Sequence, residues 1–431
     1  MIESLSLDVE RRAPVGVLEL TEAIAAEADG RVVRWSISRV EEERLSVEVS
    51  RLAGADAEPA DLRPSGYASP LGQTAVVNVV PTGIGCAIGG FAADAGPATA
   101  LLAACVDHLI ANPNAVNGSD LIHAPRNLVY AEGFFVDNFL AGRVDLLLPR
   151  SNRIGVVLGQ DEEWKLEHAM NVVNAVRAVH GIEVVAVEVT GARVGARCVR
   201  TRSGAYAGAL ADEGPLLDAC RRVLDRGATA IAIASSVEDL PQRAYARHFA
   251  GDEPNPVGGA EAVISHLVSS AFGIPAAHAP LVNFRDVELE SPIVDARGAA
   301  ELISVSGLAS VLIGLHRAPQ ARPGVAGTLR GAVSLRDVVA VVAPASALGG
   351  PPVLHAVRHG IPVIAVRGNH TILDVTAAAL GIDVVEVENY AEAAGVVVAL
   401  REGIGVGRLL RPLATLDFRS APARARDGVR Q

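Results

Sequence analysis

The chain has 431 residues, of which half are hydrophobic but only 3% are aromatic, so two or three domains with cores of Ala, Val, Leu and Ile are expected. The formal net charge of −11, without a basic stripe interleaved with aromatic residues, argues against nucleic acid as a partner. Lys165 is the only lysine, which excludes mechanisms that need two.

The cysteines and the N-terminus indicate a reducing compartment. Four cysteines lie far apart and form no CxxC pair, and the first residues, MIESLSLDVERR, contain neither an apolar signal core nor a basic region. Gly, Pro or charged residues interrupt every apolar stretch before about 18 residues, the length of a membrane span. We therefore expect a cytoplasmic protein without a membrane partner.

The N-terminal part predicts a small α+β lobe over residues 1–60. Residues 15–27 have helical spacing, and residues 31–38 and 44–52 predict two strands joined by an acidic turn. The stretch 53–70 is rich in Ala, Asp, Pro and Gly, which is typical of a linker.

From Thr74 onward, short apolar strands alternate with Gly-rich turns and helices. This rhythm predicts an α/β fold with mostly parallel, doubly wound sheets in two lobes. Its strands are expected within residues 75–80, 153–159, 182–189, 228–236 and 337–344. We divide it into a first Gly-rich segment (73–150), a second segment (151–330) and a third Gly-Gly segment that completes the core (331–412), followed by a disordered tail (413–431).

The turn from Thr82 to Gly90 is the most informative segment. Its glycines at 83, 85, 89 and 90 allow a tight turn after a strand, and a following helix N-terminus would offer free N–H groups to a carboxylate or phosphate. The spacing matches neither a Rossmann nor a Walker motif, so no nicotinamide, flavin or ATP cofactor is expected. The alternative is that these glycines only permit close packing of strand and helix.

Cys86 lies inside this turn, where a helix N-terminus would lower its pKa and make it a nucleophile or an acid–base group. The alternative is a small buried apolar side chain.

The loop 112–125 offers further polar candidates. Asn117 and Ser119 are expected to bind the ligand and Asp120 to act in catalysis, although these residue types are also common in ordinary turns. Downstream, Glu132 and Asp137 lie near aromatic residues that would raise a carboxyl pKa, unless both are simply solvated on a helix surface.

Two further Gly-Gly turns resemble the first, through either internal duplication or generic βαβ construction. Together with neighbouring amides they give six more candidate ligand-binding residues: Asn255, Gly258, Gly259, Gly349, Gly350 and Asn369. His278 and His370 are candidate catalytic residues, although a lone histidine is more often structural. His355 and His359 have metal-binding spacing without the HExxH glutamate, so no metal is expected. If the turns share one cleft, Asn117, Asn255 and Asn369 should converge on one ligand.

Four segments carry a family resemblance: VVPTGIGCAIGGFAADAGPAT, HLIANPNAVNGSDL, EPNPVGGAEAVISHLVSS and GGPPVLHAVRHGIPVIAV. Together they resemble a bacterial domain family of unknown function found in cyanobacteria and actinomycetes. The resemblance covers about residues 73–405, leaves the lobe before Ala53 as an addition, and implies no activity.

Two better-known groups fit less well. Residues 214–239 look like the aspartate/glutamate racemase superfamily, but Ser235 and Ser236 stand where that group has a catalytic cysteine. Similarity to cyanuric acid hydrolases is rejected, because those enzymes use repeated Ser-Lys pairs.

The residues thus favour an enzyme of isomerase, lyase or hydrolase type acting on a small carboxylate- or amide-bearing metabolite. The alternative is a non-catalytic ligand-binding or regulatory protein. The expected partner is a small anionic or polar metabolite, and the sequence leaves a homo-oligomer open.

Overall fold

A computed structural model describes residues 1–12, 14–28, 30–52, 72–111, 124–281, 288–304, 306–323, 331–413 and 415–416. The predicted linker, nearly all of the loop that carries Asn117, Ser119 and Asp120, and most of the predicted tail lie outside these residues. No helix in the described ranges is both long and apolar enough to cross a membrane.

A six-stranded parallel sheet forms the centre of the fold and combines the first and third segments of the sequence. Its strands, in spatial order, are β19 (Val385–Val387), β18 (Val363–Val366), β17 (Val338–Pro344), β4 (Ala75–Asn78), β5 (His108–Ala111) and β6 (Leu128–Tyr130). Strand β4 pairs with β17 in parallel, so the third segment completes the sheet that the first begins.

A second parallel sheet lies in the middle segment. Its strands, in order, are β14 (Ala276–Pro280), β12 (Ala230–Ser235), β8 (Ile154–Leu158) and β9 (Val184–Val189). Every residue of β8 and β12 is buried, as expected for parallel strands covered on both faces.

A mainly antiparallel six-stranded sheet holds the N-terminal strands. Its order is β13 (Val237–Glu238), β10 (Ala196–Arg200), β11 (Tyr206–Leu210), β1 (Ile2–Glu10), β3 (Arg44–Leu52) and β2 (Arg31–Val40). The N-terminal lobe is therefore joined to the second segment through the pairing of β1 with β11. Trp35 and Ile37 of β2 also share one hydrophobic core with Phe135 and Val341 of the central sheet region.

A short antiparallel sheet and the helices complete the described fold. The sheet has the order β15 (Gln320–Pro323), β7 (Val144–Leu147) and β16 (Ala332–Val333). The helices are α1 (Val17–Glu27), α2 (Gly96–Ala103), α3 (Gly133–Leu140), α4 (Glu163–His180), α5 (Gly214–Asp225), α6 (Gln242–Ala250), α7 (Gly258–Phe272), α8 (Ala299–Ile303), α9 (Gly307–Leu315), α10 (Pro351–Arg358), α11 (Ala377–Leu380) and α12 (Tyr390–Arg401).

The predicted fold class is confirmed: parallel sheets alternate with helices, as the apolar runs indicated. Strand β1 was not predicted.

Candidate active site

The central sheet contains a topological switch point between β4 and β17. The chain leaves β4 toward β5 and leaves β17 toward β18, on opposite sides. Two connections therefore diverge at the carboxyl ends of adjacent strands, which is where open α/β sheets bind their ligands. A cavity of about 170 Å³ lies at this crevice.

Strand β2 of the N-terminal lobe covers the crevice. Its Ile37 backbone N–H donates to the Gly349 carbonyl oxygen at 3.0 Å. A Cβ atom on Gly349 would lie 2.6 Å from Ile37 Cβ, so a glycine is needed for this close approach. The docking brings Arg34 and Ser36 of β2 to the cavity wall.

Arg34 is the cation of the cavity. Burial lowers its pKa, and the charges of Asp137 and Glu132 oppose that shift; an arginine nevertheless keeps its charge at neutral pH. Across the described residues, the Arg34 guanidinium has no hydrogen bond or ion pair. A half-buried guanidinium in this state has free N–H groups that can bind a carboxylate.

Two hydroxyl groups accompany Arg34. Ser36 and Thr82 also line the cavity, and neither side chain makes a hydrogen bond to any residue within the described ranges. Three groups able to donate hydrogen bonds thus face the same cavity.

An acid–base cluster lies opposite these donors. The Glu132 side chain accepts a hydrogen bond from Phe134 N at 2.6 Å and so caps α3, and its Oε1 lies 3.2 Å from His266 Nδ1 on α7. Burial lowers the pKa of His266, but the charge and hydrogen bond of Glu132 and the charge of Asp137 outweigh it, so that the pKa is raised.

Asp137 has a pKa close to neutral pH. Burial raises its pKa to about 6, the negative charge of Glu132 adds to the shift, and His266, Arg34 and Arg143 oppose it. Below about pH 6, with Asp137 protonated and His266 charged, Arg34 (+1), His266 (+1) and Glu132 (−1) leave the cluster with a net charge of +1, which favours an anion. Above that pH the ionised Asp137 cancels this charge until it takes up a proton.

The rest of the wall is largely apolar. It is formed mainly by Trp35, Ile37, Val79, Val80, Val136, Pro352, Val353 and Leu373. The site therefore suits a small ligand with one anionic group and an aliphatic body.

The structure places some of the sequence-predicted residues at this cavity. Thr82, Gly349 and Gly350 line it, and Gly258 packs directly behind the Thr82 hydroxyl. Gly83 and Gly259 both approach the Tyr206 carbonyl oxygen, so the first two glycine turns pack against each other rather than around a ligand.

The expectation of free N–H groups in the first turn is wrong, because protein side chains already accept from them. Ile88 N donates to Asn369 Oδ1 at 2.8 Å, Ala92 N donates to Glu301 Oε2 at 3.0 Å, and Gly89 N donates to Asp94. Helix α2 begins only at Gly96. Gly83, Gly85 and Gly89 have positive φ angles, so they serve the turn itself, and Gly90 allows contact with the Cys86 backbone.

The helix after Gly349 and Gly350 also offers few donors. Its first residues are Pro351 and Pro352, which have no N–H group. Any anion in this cavity must therefore be held mainly by side chains.

The predicted convergence of asparagines is wrong for the two that are described. Asn255 accepts from Val257 N and donates to Glu301, and Asn369 is fully buried between Ile88 and Tyr390. Both stabilise loops, and neither lines the cavity. Asn117, Ser119 and Asp120 remain predictions outside the described residues.

The two predicted catalytic histidines lie away from the cavity. His278 is buried, its Nε2 lies 2.9 Å from Ser235 Oγ, and burial lowers its pKa to about 3. His370 has an exposed side chain, and its carbonyl oxygen accepts from Ala87 N. Neither histidine lines the cavity, so the predicted catalytic role of both is wrong for this site.

The thiolate role of Cys86 is contradicted. Its thiol is buried and donates to the Pro81 carbonyl oxygen, and burial, with the Asp94 charge, raises its pKa to about 12. We predict that iodoacetamide leaves Cys86 unmodified in the native protein and modifies it after denaturation, as read by peptide mass spectrometry. Rapid native labelling would contradict this burial.

Gly258 provides a test of cavity geometry. An alanine methyl there would collide with the Thr82 hydroxyl, so Gly258→Ala should weaken binding of a small carboxylate to the cavity by about 2- to 10-fold, roughly one hydrogen bond. Gly395→Ala in α12, where nothing lies within 4 Å, is the matched control and should leave binding unchanged. Equal affinities in both variants would show that Thr82 does not contact the ligand.

Glu261 gives a pH prediction. Burial and the Glu301 charge raise its pKa from 4.5 to about 8, so its contribution to stability is present below pH 4.5 and is lost as the pH rises toward 8. Glu261→Gln should reduce the fall in unfolding free energy across this window, by up to about 1.4 kcal/mol per pH unit. Denaturation at several pH values measures how the unfolding free energy depends on pH, and exposed Glu42→Gln is the control. If the unfolding free energy falls equally steeply with pH in both variants, the prediction is contradicted.

The sequence analysis did not identify Arg34, Ser36 or His266 as site residues. On β2, Arg34 and Ser36 alternate with buried Val33, Trp35 and Ile37, which is the pattern of a strand with one solvated face. Only the docking of β2 on the crevice turns that polar face toward a cavity.

The fold and the cavity define an α/β protein with a buried acid–base cluster at a sheet switch point. The chain belongs to the family described as protein of unknown function (DUF3326), whose model matches residues 75–410. It is also 36% identical, over 331 residues, to an uncharacterised lipoprotein of Synechococcus sp.; the match covers 76% of this chain and 91% of that protein.

Proposed function

We propose that this protein is an enzyme that binds a small aliphatic carboxylate in the cavity and moves a proton on it. The observation that carries the proposal is Arg34, a cation without a protein partner in the described chain, facing an apolar cavity beside Asp137. Arg34, Ser36 and Thr82 would bind the carboxylate, and Val136 and Leu373 would contact the aliphatic body.

Asp137 is the proposed acid–base group. A carboxyl group with a pKa of about 6 can both give and take a proton near neutral pH. His266, held by Glu132, would stabilise negative charge that develops on the substrate. Among the described hydroxyls that line the cavity, none is hydrogen-bonded to a histidine ring or a carboxylate, since Ser265 bonds only to the backbone of Glu261 and His278; an isomerase or lyase therefore fits better than a serine hydrolase.

Hydrogen–deuterium exchange tests this function. We expect the protein to accelerate exchange of the proton next to the carboxylate of 3-methylbutanoate or 2-hydroxy-3-methylbutanoate in D2O, followed by proton NMR. Asp137→Asn should slow exchange by at least about 100-fold. Binding without exchange between pH 5 and 8 would overturn the catalytic role and leave a ligand-binding protein, the alternative class.

We further propose that the protein acts in the cytoplasm. All four cysteines are free, which fits a reducing compartment. The Synechococcus relative carries the name lipoprotein, so membrane attachment is the competing hypothesis. Fractionation of cells that produce the chain at its native level should recover it with the soluble proteins; recovery in the membrane pellet that only detergent releases would contradict this.

A further inference from the structure

A second cavity of about 30 Å³, which we call the annex, adjoins the main compartment at Arg34. Arg34, Ser36 and Thr82 line both the annex and the larger main compartment, so the proposed carboxylate position lies where the two meet. A volume of this size holds a group of about one or two non-hydrogen atoms.

The annex differs from the main compartment in its chemistry. Beside aliphatic side chains such as Val49 and Ala207, its own walls carry five hydroxyl groups: Ser4, Ser38, Ser50, Thr201 and Ser203. Several of these hydroxyls form hydrogen bonds with one another, as Ser4 does with Ser50 and Thr201 with Ser203. Ser38 donates to a backbone carbonyl oxygen, so these hydroxyl positions are fixed. Glu48 also lines the annex, and its Oε1 is buried without a hydrogen-bond partner among the described residues.

These groups suit one kind of occupant. A methyl group there would leave the Glu48 oxygen without a partner, whereas a ligand hydroxyl can donate a hydrogen bond to that oxygen. The annex opens beside the carboxylate position, so that hydroxyl must lie on a carbon close to the carboxylate.

Resting on the proposed function, we propose that the substrate is a hydroxylated aliphatic acid. Its carboxylate binds Arg34, its aliphatic chain fills the main compartment, and its hydroxyl enters the annex. Because the annex lies on one side of Arg34, the site should prefer one enantiomer.

The N-terminal lobe sets this selectivity. Ser4, Arg34, Ser38, Glu48 and Ser50 all precede residue 75, where the family match begins. The lobe thus supplies one wall of the annex, with Glu48, and contributes Arg34 to the cavity.

Calorimetric titration with matched acids tests the proposal. We expect one enantiomer of 2-hydroxy-3-methylbutanoate to bind about 2- to 10-fold more tightly than 3-methylbutanoate, which lacks only the hydroxyl. Ser203→Leu, which fills the annex, and Ser38→Ala, which removes one of its hydroxyls, should reduce this preference. Both variants should bind 3-methylbutanoate as the wild type does, which also serves as the check on folding.

The outcomes separate this inference from the proposed function. The annex assignment alone is overturned if 3-methylbutanoate and both enantiomers of the hydroxy acid bind equally well. It is also overturned if the preference for the hydroxy acid persists in Ser203→Leu. If neither acid binds, or if Arg34→Gln binds both as tightly as the wild type does, the proposed function itself fails.

Discussion

Arg34→Gln should reduce the affinity for 3-methylbutanoate by about 10- to 100-fold, because a hydrogen bond between charged groups contributes roughly 1.5–3 kcal/mol. The substitution removes the charge and keeps a polar side chain of similar reach. Since Arg34 has no partner among the described residues, its removal leaves no protein acceptor unsatisfied there, and the thermal midpoint should change little. Titration calorimetry and thermal unfolding measure the two effects.

Arg39→Gln is the matched control. Arg39 lies on the same strand but is exposed, and its only ion pair among the described residues is with exposed Glu41 at 3.7 Å. Such surface pairs contribute little, so this variant should bind like the wild type. An equal loss of affinity in both variants would mean that the ligand responds to overall charge instead of to the cavity.

Glu132→Ala should cost about 3–5 kcal/mol of unfolding free energy, because it leaves His266 buried without its counter-ion. It also removes the acceptor that caps α3. Glu132→Gln removes the charge but keeps an acceptor for Phe134 N, so it should cost about 1 kcal/mol less than the alanine variant. Urea denaturation of the three proteins gives both differences.

The pH dependence of this loss identifies its cause. The pKa of His266 is raised in the folded protein, so the stabilisation by Glu132 is fully present below pH 6.5 and is lost as the pH rises through the folded-state pKa. The gap between wild type and Glu132→Ala should therefore be widest below pH 6.5 and narrow above it. A gap that stays constant between pH 5 and 9 would assign the whole effect to helix capping.

Much of the fold could be predicted from the sequence, because parallel strands buried on both faces appear as continuous apolar runs. Residues 228–236 and 337–344 gave β12 and β17 in this way. The order of the strands could not be predicted. It depends on pairings between distant segments, such as β4 with β17, that local patterns do not encode.

The candidate site was predicted only in part. Thr82 and the Gly349 turn were found because polar and glycine residues that follow parallel strands collect at one sheet edge. The partners of the turn amides were not foreseen, since Asn369, Asp94 and Glu301 become acceptors only through tertiary packing. Their side chains occupy the place that the sequence suggested for a bound anion.

Glu132 and Asp137 show that the role of a carboxylate depends on its burial in the folded chain. From the sequence alone, both carboxylates could equally have been solvated on a helix surface. The structure instead places Glu132 in the core and Asp137 at the cavity wall. The pKa of Asp137 rises to about 6 because of that burial, as the neighbouring aromatic residues had suggested.

A crystal structure of the protein with saturating 3-methylbutanoate tests the central claim most directly. We expect the acid in the crevice between β4 and β17, with its carboxylate within about 3 Å of the Arg34 guanidinium and its branched chain against Val136 and Leu373. The acid bound elsewhere, or a cavity without it at a concentration that saturates binding in solution, would contradict the claim.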